Sequence, residues 1–164
     1  MTLDNRVLLD DPLSDGRQSD SAMMVWRGTA RMMRQMDFSC LAEVSLASGR
    51  RADLLALGPK HEIWIIEVKS SIADLRADTK WPDYRQHCDR LLFATHPDVP
   101  ADIFPEEAGL IISDGYEAHM LREAPEHKLA AATRKSVTHR FARAAANRLH
   151  GLADPDLATA LRTG

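Results

Sequence analysis

Cysteine is scarce in this chain of 164 residues: there are two, Cys40 and Cys88, far apart and in no paired pattern. They form no cysteine-pair metal site and read as reduced, partly buried thiols, which suits a cytosolic protein. No apolar run approaches the roughly 20 residues that a membrane-spanning helix needs. The opening MTLDNRVLLDDPLSDGRQSD has neither the charged nor the apolar region of a signal peptide. The expected location is the cytoplasm, with no membrane partner. A strong charge of one sign is also missing: the net charge is -3, which gives no global mark of nucleic-acid binding. No aromatic stacking platform stands out. No glycine-rich phosphate loop appears, which argues against a nucleotide-driven enzyme. GYEAH is no nucleophile elbow, which argues against a serine hydrolase. His61, His87 and His96 form no His-x-x-x-His pattern, which argues against zinc.

What remains is the composition of one globular domain, 45% hydrophobic and 27% charged. Its charge is unevenly placed. Residues 1–20 hold five Asp against two Arg, so residues 1–18 read as a flexible acidic arm. Residues 126–150, EHKLAAATRKSVTHRFARAAANRLH, hold six Lys or Arg against one Glu, and their alanine runs favour a helix. Lys128, Arg134, Lys135, Arg140, Arg143 and Arg148 recur along it without forming one clean stripe. They are either a solvated face or an electrostatic footprint for a phosphate backbone. Residues 19–150 then form the domain, and 151–164 a tail that is a loose end or a short extra helix.

The pattern predicts a helix over 20–36, whose methionines pack a core at helical spacing. Strands follow in FSCLAEVSL, RRADLLAL and EIWIIEVKSS, with turns at ASG and GPKH. A polar segment, SIADLRADTK, leads to a second helix over 82–95, with Pro82 in its first turn. AGLIISD and AHMLRE add two strands, and the basic helix closes the domain. The class is a mixed α/β domain built around a sheet.

The second and third strands raise a chemical question. With GPKHE as an antiparallel hairpin loop, Leu57 pairs with Ile63 and Leu55 with Ile65. Asp53 then faces Glu67, and Arg51 faces Lys69, on a sheet face that is otherwise aliphatic. Like charges directly opposite destabilise a strand pair, and an unpartnered buried charge costs several kcal/mol. A divalent cation would compensate. Mg²⁺ or Mn²⁺ takes one or two carboxylates, keeps waters and leaves room for a phosphate, with the Val68 carbonyl as a further oxygen. Such an ion lowers the pKa of a bound water, and Lys69 would orient that water or neutralise developing charge.

The set Asp53, Glu67, Lys69 resembles the core motif of the PD-(D/E)XK nuclease superfamily, with Ala52 where the motif name has Pro. The order of elements, helix, three-strand meander, helix and strand (αβββαβ), resembles that superfamily's restriction-endonuclease-like core. More narrowly, RRADLLAL, WIIEVKSS, DTKWPDYRQHCDRLLFAT and GLIISDGY look like the MmcB-like family, described as DNA-repair-related, over roughly residues 20–150. The resemblance implies a metal-dependent phosphodiesterase acting on DNA, a mixed central sheet flanked by helices, and Mg²⁺ or Mn²⁺ as cofactor. It makes Asp53 and Glu67 metal ligands and Lys69 catalytic. It further implies DNA, other repair proteins and a second copy of the chain as partners. Family members often carry an additional acid on the first helix; residues 23–36 have none, and Glu43 in the first strand could replace it. Members also often place a Gln, Lys or Tyr from the second helix near the site. Here Gln86 would hold a phosphate or a water and Lys80 the DNA backbone, while Tyr84 with Cys88 and Leu91 reads as a buried stripe. Arg51, Lys60, Arg134, Lys135, Arg140 and Arg143 complete the expected DNA contacts. Two other readings stay open: a nuclease-like fold that binds DNA or a repair partner without cutting, and a structural salt bridge of Glu67 with Lys69 or Arg51.

Overall fold

Ser19 starts the first helix as its sequence predicts: its hydroxyl accepts the amide of Ala22 at 3.2 Å, and α1 runs Asp20–Gln35. A computed structural model describes residues 19–156. The acidic arm, 1–18, and the tail from 157 onward lie outside the described residues. Helix α1 buries Val25, Gly28, Thr29, Met32 and Met33 against one face of a six-stranded sheet. Gly28 is obligatory there, because a Cβ would lie 2.1 Å from Ser113 Oγ and 2.9 Å from the Glu117 carbonyl.

The sheet has the order β1 (Ser39–Ser45), β2 (Arg51–Leu57), β3 (Ile63–Lys69), β4 (Arg90–Thr95), β5 (Gly109–Ser113), β6 (Ala118–Arg122). β1, β2 and β3 form an antiparallel meander; β3, β4 and β5 are parallel, and β6 returns antiparallel. The crossover from β3 to β4 carries the short helix α2 (Ile72–Ala77), capped by Ser71, and a 3₁₀ segment, Trp81–His87. The αβββαβ order is therefore present, and the mixed sheet is flanked by helices on both faces. Among the described residues no helix is long and apolar enough to cross a membrane.

One expected element is corrected. Residues 82–95 are not one helix but the end of the 3₁₀ segment followed by β4. Leu91, Leu92, Phe93 and Ala94 are all buried between β3 and β5. A parallel strand covered on both faces is apolar throughout and lacks alternation, so it looks like a buried helix. The basic helix also starts later than its composition suggests: α3 spans Ala131–Ala153 and so takes in the first residues of the expected tail.

The core sits on both sides of the sheet. Val25, Met33, Leu54, Ile66 and Ile111 fill the α1 side. Leu55, Ile63, Ile65, Tyr84, Leu91 and Val137 fill the other side, under the 3₁₀ segment and α3. Asp89 ties this second layer together. Its carboxylate accepts the amides of Ile63 at 2.8 Å and Leu129 at 3.0 Å, and its own amide donates to the Ile63 carbonyl at 2.7 Å.

Candidate active site

The β2–β3 ladder has the register that the loop length predicts, from Leu57↔Ile63 to Leu54↔Ile66. It stops one row before Asp53 and Glu67. There the acids take over the hydrogen bonds of the backbone. The Asp53 amide donates to Glu67 Oε1 at 3.2 Å, and the Val68 amide donates to Asp53 Oδ2 at 2.8 Å. Each acid thus occupies an amide of the opposite strand, and the two strands part. A strand residue's N–H and C=O point to the same side, so the Val68 carbonyl faces this gap too.

Glu67 is 3% exposed. Its burial, then the charge of Asp53, push its carboxyl well above the usual range. Burial pushes Asp53 up to about 6, with Asp74 and Glu43 adding like charge, against the Val68 amide and Lys69. Lys69 provides the nearest positive charge but is already engaged: its Nζ lies 2.7 Å from Asp78 Oδ2, and its side chain is 9% exposed. Burial disfavours the Lys69 cation, yet the hydrogen bond and charge of Asp78, with Glu67 and Asp74, hold its pKa above the ordinary value. It is a fixed ammonium. Asp78 also accepts the Lys80 amide at 3.0 Å, which joins the start of the 3₁₀ segment to the site.

Tyr84 closes the floor. Its hydroxyl donates to the Arg51 carbonyl at 3.0 Å. Burial, then the charges of Glu67 and Asp53, push the phenol up, so it stays protonated. The stripe of Tyr84, Cys88 and Leu91 is buried as expected, though no helix connects it.

Glu43 belongs to the same row. The register steps from Ala42↔Leu54 to Val44↔Ala52, which leaves Glu43 opposite Asp53. Its Oε1 lies 3.6 Å from the Arg51 guanidinium. It borders the pair, and among the described residues no group of three His, Cys, Asp or Glu side chains is placed to hold one ion. The groups that could hold a cation are Asp53 and Glu67, each with one oxygen on an amide, together with the Val68 carbonyl. Hard oxygen donors, few in number and short of positive charge, fit Mg²⁺ or Mn²⁺.

Other expected site residues are placed differently. Tyr84 and His87 share the buried side of the 3₁₀ segment, as an i, i+3 pair must, and Gln86 stands on its exposed side. Lys60 sits in the β2–β3 turn, at the far end of the hairpin from Asp53. Arg134 grips Asp89 with two bonds of 2.6 and 2.7 Å and donates to the His61 carbonyl at 2.8 Å. Although burial of Asp89 works the other way, Arg134 and the Leu129 and Ile63 amides hold its carboxyl below the usual range. Arg134 is therefore a strut between α3 and the sheet. Lys135, Arg140 and Arg143 are exposed on α3, and Arg140 lies near His87 of the 3₁₀ segment. Arg51, its side chain 42% exposed, borders the acids directly.

Asp78, Asp89 and Arg148 escaped the reading of the sequence as individual partners. The only sequence signal for Asp78 is that a lysine inside a strand needs a counter-charge; nothing says which acid supplies it. A cleft of about 730 Å³ lies elsewhere, lined by Trp26, Arg27, Arg31 and Tyr116 beside α1, and does not include the acids.

Residues 9–156 match the family model described as DNA repair protein MmcB-like. No curated protein matches the chain. A solved structure, a protein of unknown function from Silicibacter pomeroyi, is 45% identical, with a TM-score of 0.81 over 85% of this chain and 95% of that one.

Proposed function

The chain belongs to the MmcB-like family of DNA repair proteins, and from that premise we propose that it is a Mg²⁺- or Mn²⁺-dependent nuclease that hydrolyses phosphodiester bonds in DNA. The observation that carries the proposal is the parted β2–β3 ladder. Asp53 and Glu67 stand there side by side with their carboxyls raised, and Lys69 is held as an ammonium two residues from Glu67. Such a cluster is unfavourable unless a cation is part of it.

Asp53 and Glu67 would hold the ion, with the Val68 carbonyl as a third oxygen. When bound, the ion would lower the pKa of a water and polarise a phosphoryl oxygen. Lys69 stays charged at neutral pH through Asp78, so its part is to neutralise negative charge that develops on the phosphate rather than to remove a proton. Arg51 is exposed beside the acids and suited to hold the phosphate that is cut. Lys80, Lys135, Arg140 and Arg143 supply backbone contacts further out. Tyr84 keeps water from the floor and fixes the start of β2 through the Arg51 carbonyl.

The test is calorimetric titration of Mg²⁺ and Mn²⁺ into the wild type and Asp53→Asn, followed by cleavage assays on single-stranded, branched and plasmid DNA. Binding that is lost in Asp53→Asn, together with ion-dependent cutting, supports the nuclease. Failure of the wild type to bind either ion, with or without DNA, rejects it. One observation favours a second reading, a DNA- or partner-binding module that does not cut: the Lys69 ammonium is tied to Asp78 at 2.7 Å. That reading predicts DNA binding without cleavage on any substrate of the panel.

A further inference from the structure

Glu43 has a φ of 49° in the middle of β1. A residue with a side chain adopts that left-handed conformation only where its surroundings hold it, and such backbone strain clusters at active sites. The holding group comes from α3. The Arg148 guanidinium donates to the carbonyl of Ala42 and, at 2.9 Å, to that of Glu43 itself. Its fork therefore bridges the two carbonyls on either side of the left-handed turn. The consequence is a row of three carboxylates, Glu43, Asp53 and Glu67, one from each strand of the meander. The Glu43 side chain is 8% exposed and faces Arg51.

We infer that Arg148 is a positioning residue for the cation site: by fixing the turn at Glu43 it keeps that carboxylate beside Asp53, where its charge strengthens cation binding without ligating the ion. This rests on the cation reading of Asp53 and Glu67 and extends it to a residue far from the motif in sequence.

The sign of the effect separates positioning from simple electrostatics. Removing a positive charge near a cation site should tighten binding, whereas removing a clamp should weaken it. Mn²⁺ is titrated by calorimetry into the wild type, Asp53→Asn, Glu43→Gln, Arg148→Ala, Arg148→Lys and the double variant Glu43→Gln/Arg148→Ala, with a melt of each to show that it folds. Loss of outer partners typically weakens a metal about 10- to 100-fold. We expect about tenfold weakening in Glu43→Gln and in Arg148→Ala. The double variant should be no weaker than Glu43→Gln alone, because Arg148 acts through Glu43. Arg148→Lys keeps the charge but not the fork that reaches both carbonyls, so it too should weaken binding; it serves as the test if Arg148→Ala does not fold. Unchanged or tighter binding in the Arg148 variants, or losses that add in the double variant, would overturn the inference while leaving the cation reading intact. Absence of Mn²⁺ binding in the wild type would overturn both.

Discussion

Asp53 and Glu67 are joined through the backbone rather than to each other: Glu67 accepts the amide of Asp53 at 3.2 Å, and Asp53 accepts the amide that follows Glu67 at 2.8 Å. The arrangement satisfies two amides that the open ladder would otherwise strand, but it leaves two carboxylates close together out of water. Their cost appears as raised pKa values, and it gives the pair a pH dependence.

A carboxyl whose pKa is raised by folding stabilises the fold fully below its unfolded value, and that contribution is lost as pH rises through the folded value. For Asp53 the window runs from 3.8 to about 6. The metal-free protein should therefore lose roughly 2–3 kcal/mol from this group between about pH 4 and pH 7. His87, whose burial and neighbour Arg140 lower its pKa, works in the opposite sense over part of that range. The informative quantity is thus the difference in Tm between wild type and Asp53→Asn, measured in a chelator. It should move in favour of Asp53→Asn by several degrees as pH rises from about 4 to 7 and change little above that. Excess Mn²⁺ should restore the wild type's stability and leave the variant unmoved. Parallel pH profiles for the two proteins would contradict the geometry.

Lys69 and Asp78 form a largely buried ion pair, and removing one partner leaves the other uncompensated. Asp78→Asn should destabilise the protein by about 2 kcal/mol, which is roughly 4–8 °C in Tm for a domain of this size. Lys69→Met in the same chain should recover most of the loss. Thermal melts of the two single variants and the double decide it. Losses that simply add in the double variant would mean that the pair is not coupled.

The basic helix divides into struts and free cations. Arg134→Ala should cost about 3 kcal/mol, because it leaves Asp89 buried without its guanidinium. It should do so without a specific loss of DNA affinity in the folded fraction. Replacing Lys135, Arg140 and Arg143 by Gln should do the reverse: an unchanged Tm, weaker DNA binding and a salt dependence shallower by up to about 0.9 for each phosphate no longer neutralised. Melts and binding isotherms at several salt concentrations separate the two groups. A triple variant that binds DNA normally would remove α3 from the interface.

The hairpin was legible because its information is local. GPKHE sets the loop, and alternate residues on either side set the register, so Asp53 falls opposite Glu67 without any knowledge of the rest of the fold. What sequence could not show is that the ladder opens there, since that depends on burial of both acids. β4 was hidden for a related reason: a strand buried on both faces has no periodicity to reveal it. Pairs such as Lys69–Asp78 and Asp89–Arg134 link distant segments, and the identity of a partner comes only with the crossover that brings it there. Gln86 was expected on a second helix and stands instead on the exposed side of a 3₁₀ segment, because seven residues before a buried strand leave no room for a longer helix.

The parting of β2 from β3 beyond Leu54 and Ile66 also leaves one end of the sheet mechanically open. β2 stays fastened to β1, and β3 to the parallel strands, so the acids line a seam between an antiparallel flap and a parallel slab. Whatever bridges Asp53 and Glu67 acts as a rivet across that seam. Occupancy of the site should thus be felt as stiffness, in slower exchange of the Asp53 and Val68 amides, at positions where the hairpin's own ladder supplies none.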